Sequence, residues 1–166
     1  MPTELDVDPI LPDQLSEIQL NGERVLLHLE FQRNHDPDMA ERLWDYNVRA
    51  TRRYKCNVWS CVIYLKKGTT LDQPYMLRAL SIGWNIHRFD FSIVRLWEVP
   101  TEELWEKGLQ GLYPLLVLTR EGARREVVEG VISELVPSPA ANAADLLALT
   151  FGLASLTFEK EDDQHW

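Results

Sequence analysis

The sequence is poor in the residues that many ready mechanisms depend on. Only two cysteines, Cys56 and Cys61, occur in 166 residues, too few for a disulfide framework. They stand five apart in what reads as one strand, so their side chains leave opposite faces and cannot bridge without breaking it. A reducing cytosol and a cytoplasmic location are the expectation. No glycine-rich phosphate loop is present. His87 and His165 have no partners at ligand spacing, so core or solvated histidine is expected at both. No apolar run reaches the length of a bilayer span, and no apolar N-terminal stretch precedes a small-residue cleavage site. Neither membrane insertion nor secretion is expected.

Positive charge is also in deficit. A formal net charge of -9 argues against a protein that coats nucleic acid without selectivity, because phosphate binding needs Lys and Arg to displace counterions. The deficit is not uniform. Between Arg33 and Lys67 eight basic residues (Arg33, Arg42, Arg49, Arg52, Arg53, Lys55, Lys66, Lys67) face four acidic ones (Asp36, Asp38, Glu41, Asp45).

What remains is the composition of a folded globular chain, 45% apolar and 26% charged, of a size that one domain accommodates. Residues 1–10 read as an irregular acidic lead-in, 11–158 as the domain, and 159–166 as a solvated acidic tail. Leu15–Leu20 and Glu23–Gln32 read as strands around Asn21-Gly22, the strongest short hairpin signal, since both turn positions need positive φ. Asp36 then reads as the N-cap of a helix with Pro37 at its first position, running to about Tyr54. Met39, Leu43, Tyr46, Ala50 and Tyr54 recur on one face of it. Val58–Leu65 is a buried strand, residues 66–74 are a loop, and Phe89–Val99 is a further strand. Strand, helix and buried strand suggest a parallel βαβ unit. Thr101 should cap a short helix, the stretch Leu112–Leu118 stays unassigned, and Arg125–Val136 and Ala140–Phe158 read as helices. The fold class is α/β, a mixed sheet with a helical C-terminal third.

The chemistry lies in the hairpin. With Leu20 facing Glu23, every pair has residue numbers summing to 43, and Asp13 faces Glu30. Cross-strand neighbours have Cβ atoms roughly 5 Å apart on the same face. Two carboxylates that close repel unless a cation bridges them, and Mg²⁺ or Mn²⁺ is the natural bridge. His28, Glu30 and Gln32 share a face by alternation, so Gln32 is placed to orient a metal-bound water. The plainer alternative is a solvated polar face. For the helix that follows, Arg42, Arg49, Arg52 and Arg53 are candidate DNA phosphate contacts, against a solvated face held by intrahelical ion pairs. Asn34-His35-Asp36 has the residue types of a His-based nuclease motif, but helix capping accounts for Asp36. Trp44, Trp59, Trp97 and Trp105 fall in periodic elements, where core packing is expected ahead of base stacking.

Pro12-Asp13, LLHLEFQ at 26–32 and DPDMAERLWDYNVRATRRY at 36–54 resemble the PD, the E-x-Q form of (D/E)XK and the following helix of the recombination-promoting nuclease/putative transposase family, within the PD-(D/E)XK nucleases. The similarity continues through VIYLKK (62–67), FDFSIVRLWEVP (89–100), GLYPLLVLT (111–119) and the apolar C-terminal helix. It implies a metal-dependent DNA endonuclease fold linked with recombination, with Asp13 and Glu30 as metal ligands and Gln32 where many relatives have lysine. Members of the superfamily normally carry one or more helices before the PD strand, whereas twelve residues precede Asp13 here. The resemblance thus implies a chain lacking that helix, either an endonuclease or an inactive remnant serving as a DNA-binding or protein-interaction module. The uncovered apolar sheet surface leads to an expectation of homo-oligomers.

Overall fold

A computed structural model of the chain describes residues 14–158. β1 (Gln14–Leu20) and β2 (Glu23–Gln32) form the antiparallel hairpin, with φ of 51° at Asn21 and 83° at Gly22, the positive angles that a type I′ turn demands. Seven pairs, from Gln14 opposite Leu29 to Leu20 opposite Glu23, keep the register read from the sequence.

Packing divides the described chain into two compact units, residues 14–63 with 70–94, and 64–69 with 95–158. In the first, β1 and β2 join β3 (Asn57–Tyr64) and β6 (Ser92–Arg95) in a mixed sheet of order β1-β2-β3-β6. The α/β class is as expected.

Helix α1 (Met39–Tyr54) connects β2 to β3. It begins two residues later than the sequence suggests, because Asp36 closes a turn ahead of it. The Asp36 Oδ1 accepts the N–H of Asp38 at 2.9 Å, and its carbonyl accepts the N–H of Met39 at 3.2 Å. Met39, Leu43, Tyr46 and Ala50 are buried, the face expected from their spacing, while Tyr54 is exposed where the helix ends. Lys55, in the left-handed region, stops the helix and returns its N–H to Thr51.

Two strands escaped the sequence reading. β4 (Tyr75–Ala79) and β5 (Asn85–Asp90) form a separate antiparallel hairpin, and the single strand expected over Phe89–Val99 is divided among the end of β5, β6 and a 3-10 turn at Leu96–Glu98. The break falls at Phe91, a buried residue whose N–H goes to the Pro74 carbonyl at 2.9 Å. The beginning of this hairpin was concealed because most of its residues are exposed, so no face alternates. It leans on α1: Arg78 pairs with Glu41 and lies 5.5 Å over the Trp44 ring, and His87 meets Trp44 at 5.5 Å. Trp44 is half-buried under the hairpin, and Trp59 is exposed with its indole N–H given to the Ser92 hydroxyl at 2.9 Å; neither joins the core as expected. Leu80, Ile82 and Trp84 stand exposed at the hairpin tip.

The second unit holds α2 (Thr101–Trp105), α3 (Tyr113–Leu116), α4 (Arg125–Leu135) and α5 (Ala143–Phe158). Its core is Tyr113, Leu116, Val131 and Leu135, with Trp105 stacked on Tyr113 at 5.4 Å. The unassigned stretch becomes a 3-10 turn, Gln110–Leu112, running into α3, where Pro114 needs no N–H partner. Thr101 does not cap α2. Its own N–H is capped by the Glu121 carboxylate at 3.0 Å, while its hydroxyl meets that of Thr119 at 2.6 Å.

Candidate functional site

The polar face of β2 is not solvated. His28 is 0% and Glu30 3% exposed, whereas Leu27, Leu29 and Phe31 on the other face are half-buried. Burial of alternating polar residues requires hydrogen-bond partners, and neighbouring elements supply them. His28 Nδ1 lies 3.1 Å from Ser60 Oγ on β3, and its Nε2 lies 3.2 Å from Glu30 Oε1. Asn47 of α1 donates to Ser60 Oγ at 3.0 Å and to the Val58 carbonyl at 2.7 Å. The Tyr46 ring covers His28 at 4.2 Å. Arg42 donates to Glu30 Oε2 at 3.3 Å and to Asp36 Oδ2 at 2.8 Å.

One proton arrangement satisfies the inner chain. Asn47 Nδ2 can only donate, so Ser60 Oγ accepts from it, which leaves the Ser60 proton available to His28 Nδ1. His28 Nε2 then carries the hydrogen that Glu30 accepts. Among the described residues no buried side-chain nitrogen or oxygen lacks a partner. Ser60, His28 and Glu30 have the residue types of a hydrolase triad. Yet Ser60 is 1% exposed, and a nucleophile sealed from substrate attacks nothing. The array is a brace that ties β2, β3 and α1 together and fixes one oxygen of Glu30.

Of the residues singled out by sequence, Glu30 sits near the end of β2, and Gln32, half-buried, ends that strand on the same face by alternation. Asp13 lies outside the described residues. Arg42 is engaged with Glu30 and Asp36, and Arg49 with Asp45 one turn earlier at 2.7 Å. Arg52 and Arg53 are exposed, Arg53 lying 5.5 Å over the Tyr54 ring. Arg52 shares an open depression with Arg24 and Lys55 at the end of α1. Ser60 and Asn47 were not singled out. Their signal was a hydroxyl inside an apolar strand and an Asn in a helix interior, a residue of low helix propensity.

The fit of a divalent metal to these residues turns on donor chemistry. Glu30 offers hard anionic oxygen and Gln32 a neutral amide oxygen on the same face, as Mg²⁺ or Mn²⁺ prefers. A positive group, the Arg42 guanidinium, already stands at Glu30. Among the described residues no three His, Cys, Asp or Glu side chains converge. Glu30 and Gln32 are the described residues of this face whose donor chemistry suits such an ion.

Charge is distributed in a way that the total conceals. Residues 1–13 carry four acidic and no basic residues, and 159–166 carry four acidic and one basic. Residues 14–63 with 70–94 balance nine of each sign, so the described part of the unit bearing Glu30 is neutral overall. Among the described residues no helix is long and apolar enough to cross a membrane.

Partial burial opposes the charged form of Asp36, but hydrogen bonds from Arg42 and the Asp38 N–H, with the positive charge of Arg42, outweigh it and hold its pKa below the ordinary value. A depressed carboxyl stabilises the fold above its unfolded pKa, near 4, and loses that contribution as pH falls through the lower folded value. Asp36→Asn should therefore be less stable than the parent by on the order of 1 kcal/mol at pH 7, with the gap closing at the acid end. Urea denaturation at pH 7 and pH 3 measures this; a gap that widens in acid contradicts it.

Comparison of the chain with protein-family models, curated proteins and solved structures finds no match in any of the three. Its class is thus defined by the fold alone, an α/β unit carrying a buried carboxylate network and followed by a helical unit.

Proposed function

We propose that the protein is a divalent-metal-dependent DNA endonuclease of the PD-(D/E)XK type, hydrolysing phosphodiester bonds. The observation that carries the reading is Glu30, a carboxylate 3% exposed near the end of a strand whose hairpin register runs through seven pairs toward Asp13. Asp13 lies outside the described residues, and its pairing with Glu30 is the expectation drawn from the sequence. A metal bound there supplies a Lewis acid for the phosphate and a more acidic water. Glu30 and Asp13 would hold the ion and Gln32 would orient a water through its amide, while His28 with Ser60 keeps the Glu30 carboxylate in one orientation. Arg49, Arg52 and Arg53 are the proposed contacts to the DNA backbone, which position the duplex without reading its sequence.

One observation favours a second reading, an inactive module that binds DNA or protein: both Glu30 oxygens already accept hydrogen bonds, from His28 and Arg42. Incubation with supercoiled plasmid and Mg²⁺ or Mn²⁺ decides between the two. The endonuclease nicks the plasmid, and Asp13→Ala and Glu30→Gln each slow nicking roughly 10³-fold, the several kcal/mol that a metal supplies to such a transition state. Plasmid binding that persists in EDTA, with no nicking in either metal, establishes the module instead.

A further inference from the structure

Arg42 is half-exposed while the carboxylate it holds is buried: the side chains are 44% and 4% exposed. The two ends of this pair differ in freedom. Glu30 is fixed through Oε1 by His28, itself fixed by Ser60 and Asn47. Arg42 is partly in water, and it has a second carboxylate, Asp36, at 2.8 Å through its other terminal nitrogen. The Asp36 link is the shorter of the two, against 3.3 Å to Glu30.

From this asymmetry we infer that Arg42 is the resident counter-ion of Glu30 and a displaceable one: it leaves Oε2 when a divalent cation binds, pivoting on Asp36. The inference rests on the metal-dependent reading above. Its physical basis is that two cations cannot share one carboxylate oxygen at contact distance without strong repulsion, least of all where burial lowers the effective dielectric. In the resting protein the guanidinium neutralises a carboxylate that would otherwise be an uncompensated buried charge. That stabilisation is lost when the ion enters, and the apparent affinity for metal falls by the same factor. Arg42 is thereby a positioning residue. It closes the site when metal is absent and, once released, is a cation held by Asp36 beside the place where a phosphate would bind.

The test is calorimetric titration with Mn²⁺ alone, without DNA, on the full chain and its variants. Arg42→Gln, which keeps a hydrogen-bond donor but no charge, should bind Mn²⁺ about tenfold more tightly than the parent, the scale of one charge-assisted hydrogen bond. Asp36→Asn removes the pivot, leaves the guanidinium committed to Glu30, and should bind more weakly than the parent. Arg42→Lys keeps the charge and should stay near the parental affinity. Circular dichroism in EDTA establishes that each variant is folded, and if Arg42→Gln is not, the weaker binding expected for Asp36→Asn beside the parental affinity expected for Arg42→Lys still decides. Mn²⁺ binding by the parent with equal or weaker binding by Arg42→Gln, or with unchanged binding by Asp36→Asn, overturns the displacement and spares the metal reading. Absence of Mn²⁺ binding in the parent and in Arg42→Gln alike removes both.

Discussion

Gly122→Ala should lose about 3 kcal/mol of stability, although it adds a single methyl group. A Cβ built at Gly122 would lie 2.0 Å from the Leu116 carbonyl oxygen and 2.6 Å from the Val117 carbonyl carbon. Both are backbone atoms, and the segment they belong to is pinned. Leu116 and Val117 are 0% exposed, and the Leu116 carbonyl accepts from the Thr119 hydroxyl at 2.6 Å. Neither partner can step aside as a flexible side chain would. The Gly122 N–H is itself bound to the Thr119 carbonyl at 3.0 Å, so relieving the clash means opening the turn that leads to α4. Gly111→Ala is the matched control, since a Cβ there meets nothing within 4 Å. Urea denaturation of the two variants should separate them by the full amount. A Gly122→Ala protein within 0.5 kcal/mol of the control, the usual spread of neutral surface changes, would mean that this close approach is not a feature of the folded chain.

His28→Leu is the second large effect, again about 3 kcal/mol. Leucine fills much of the space under Tyr46 but offers no hydrogen to Glu30 Oε1 and no acceptor to Ser60. A buried carboxylate that loses a donor, and a buried hydroxyl that loses its acceptor, each carry a desolvation penalty of about 1–3 kcal/mol. Ser60→Ala should be milder, about 1 kcal/mol, because the groups that lose Ser60 are His28 Nδ1 and one amide hydrogen of Asn47, a half-buried residue that keeps the Val58 carbonyl. The double variant should be less destabilised than the two losses added, since the Ser60 hydroxyl that His28→Leu orphans is then gone. Strict additivity, or a His28→Leu protein as stable as the parent, would show that the chain of hydrogen bonds carries no weight.

The local elements were legible where a single physical signal dominated. Asn21-Gly22 fixed the first hairpin and its register because few residue pairs tolerate two successive positive φ angles. The spacing of Met39, Leu43, Tyr46 and Ala50 fixed the buried face of α1. The β4–β5 hairpin was missed because a pair of strands lying over a helix, with most side chains exposed, has no alternation to display. The cap on α2 was misassigned to Thr101 because its acceptor, Glu121, lies twenty residues onward, and no local pattern joins the two.

The candidate site divides in the same way. Alternation alone put His28, Glu30 and Gln32 on one face of β2, and the Asn21-Gly22 turn alone set the seven described pairs of the hairpin. Whether that face met water or protein was undetermined, because period two says which residues share a side and never what covers it. The packing of α1 across the sheet decided it: Tyr46 and Asn47 close over His28 and Ser60, and Arg42 reaches Glu30. Burial is a property of the whole chain, set by which apolar surfaces find one another. For that reason the sequence determined the strand, the turn and the carboxylate, and only the tertiary structure made that carboxylate a buried, braced and paired group.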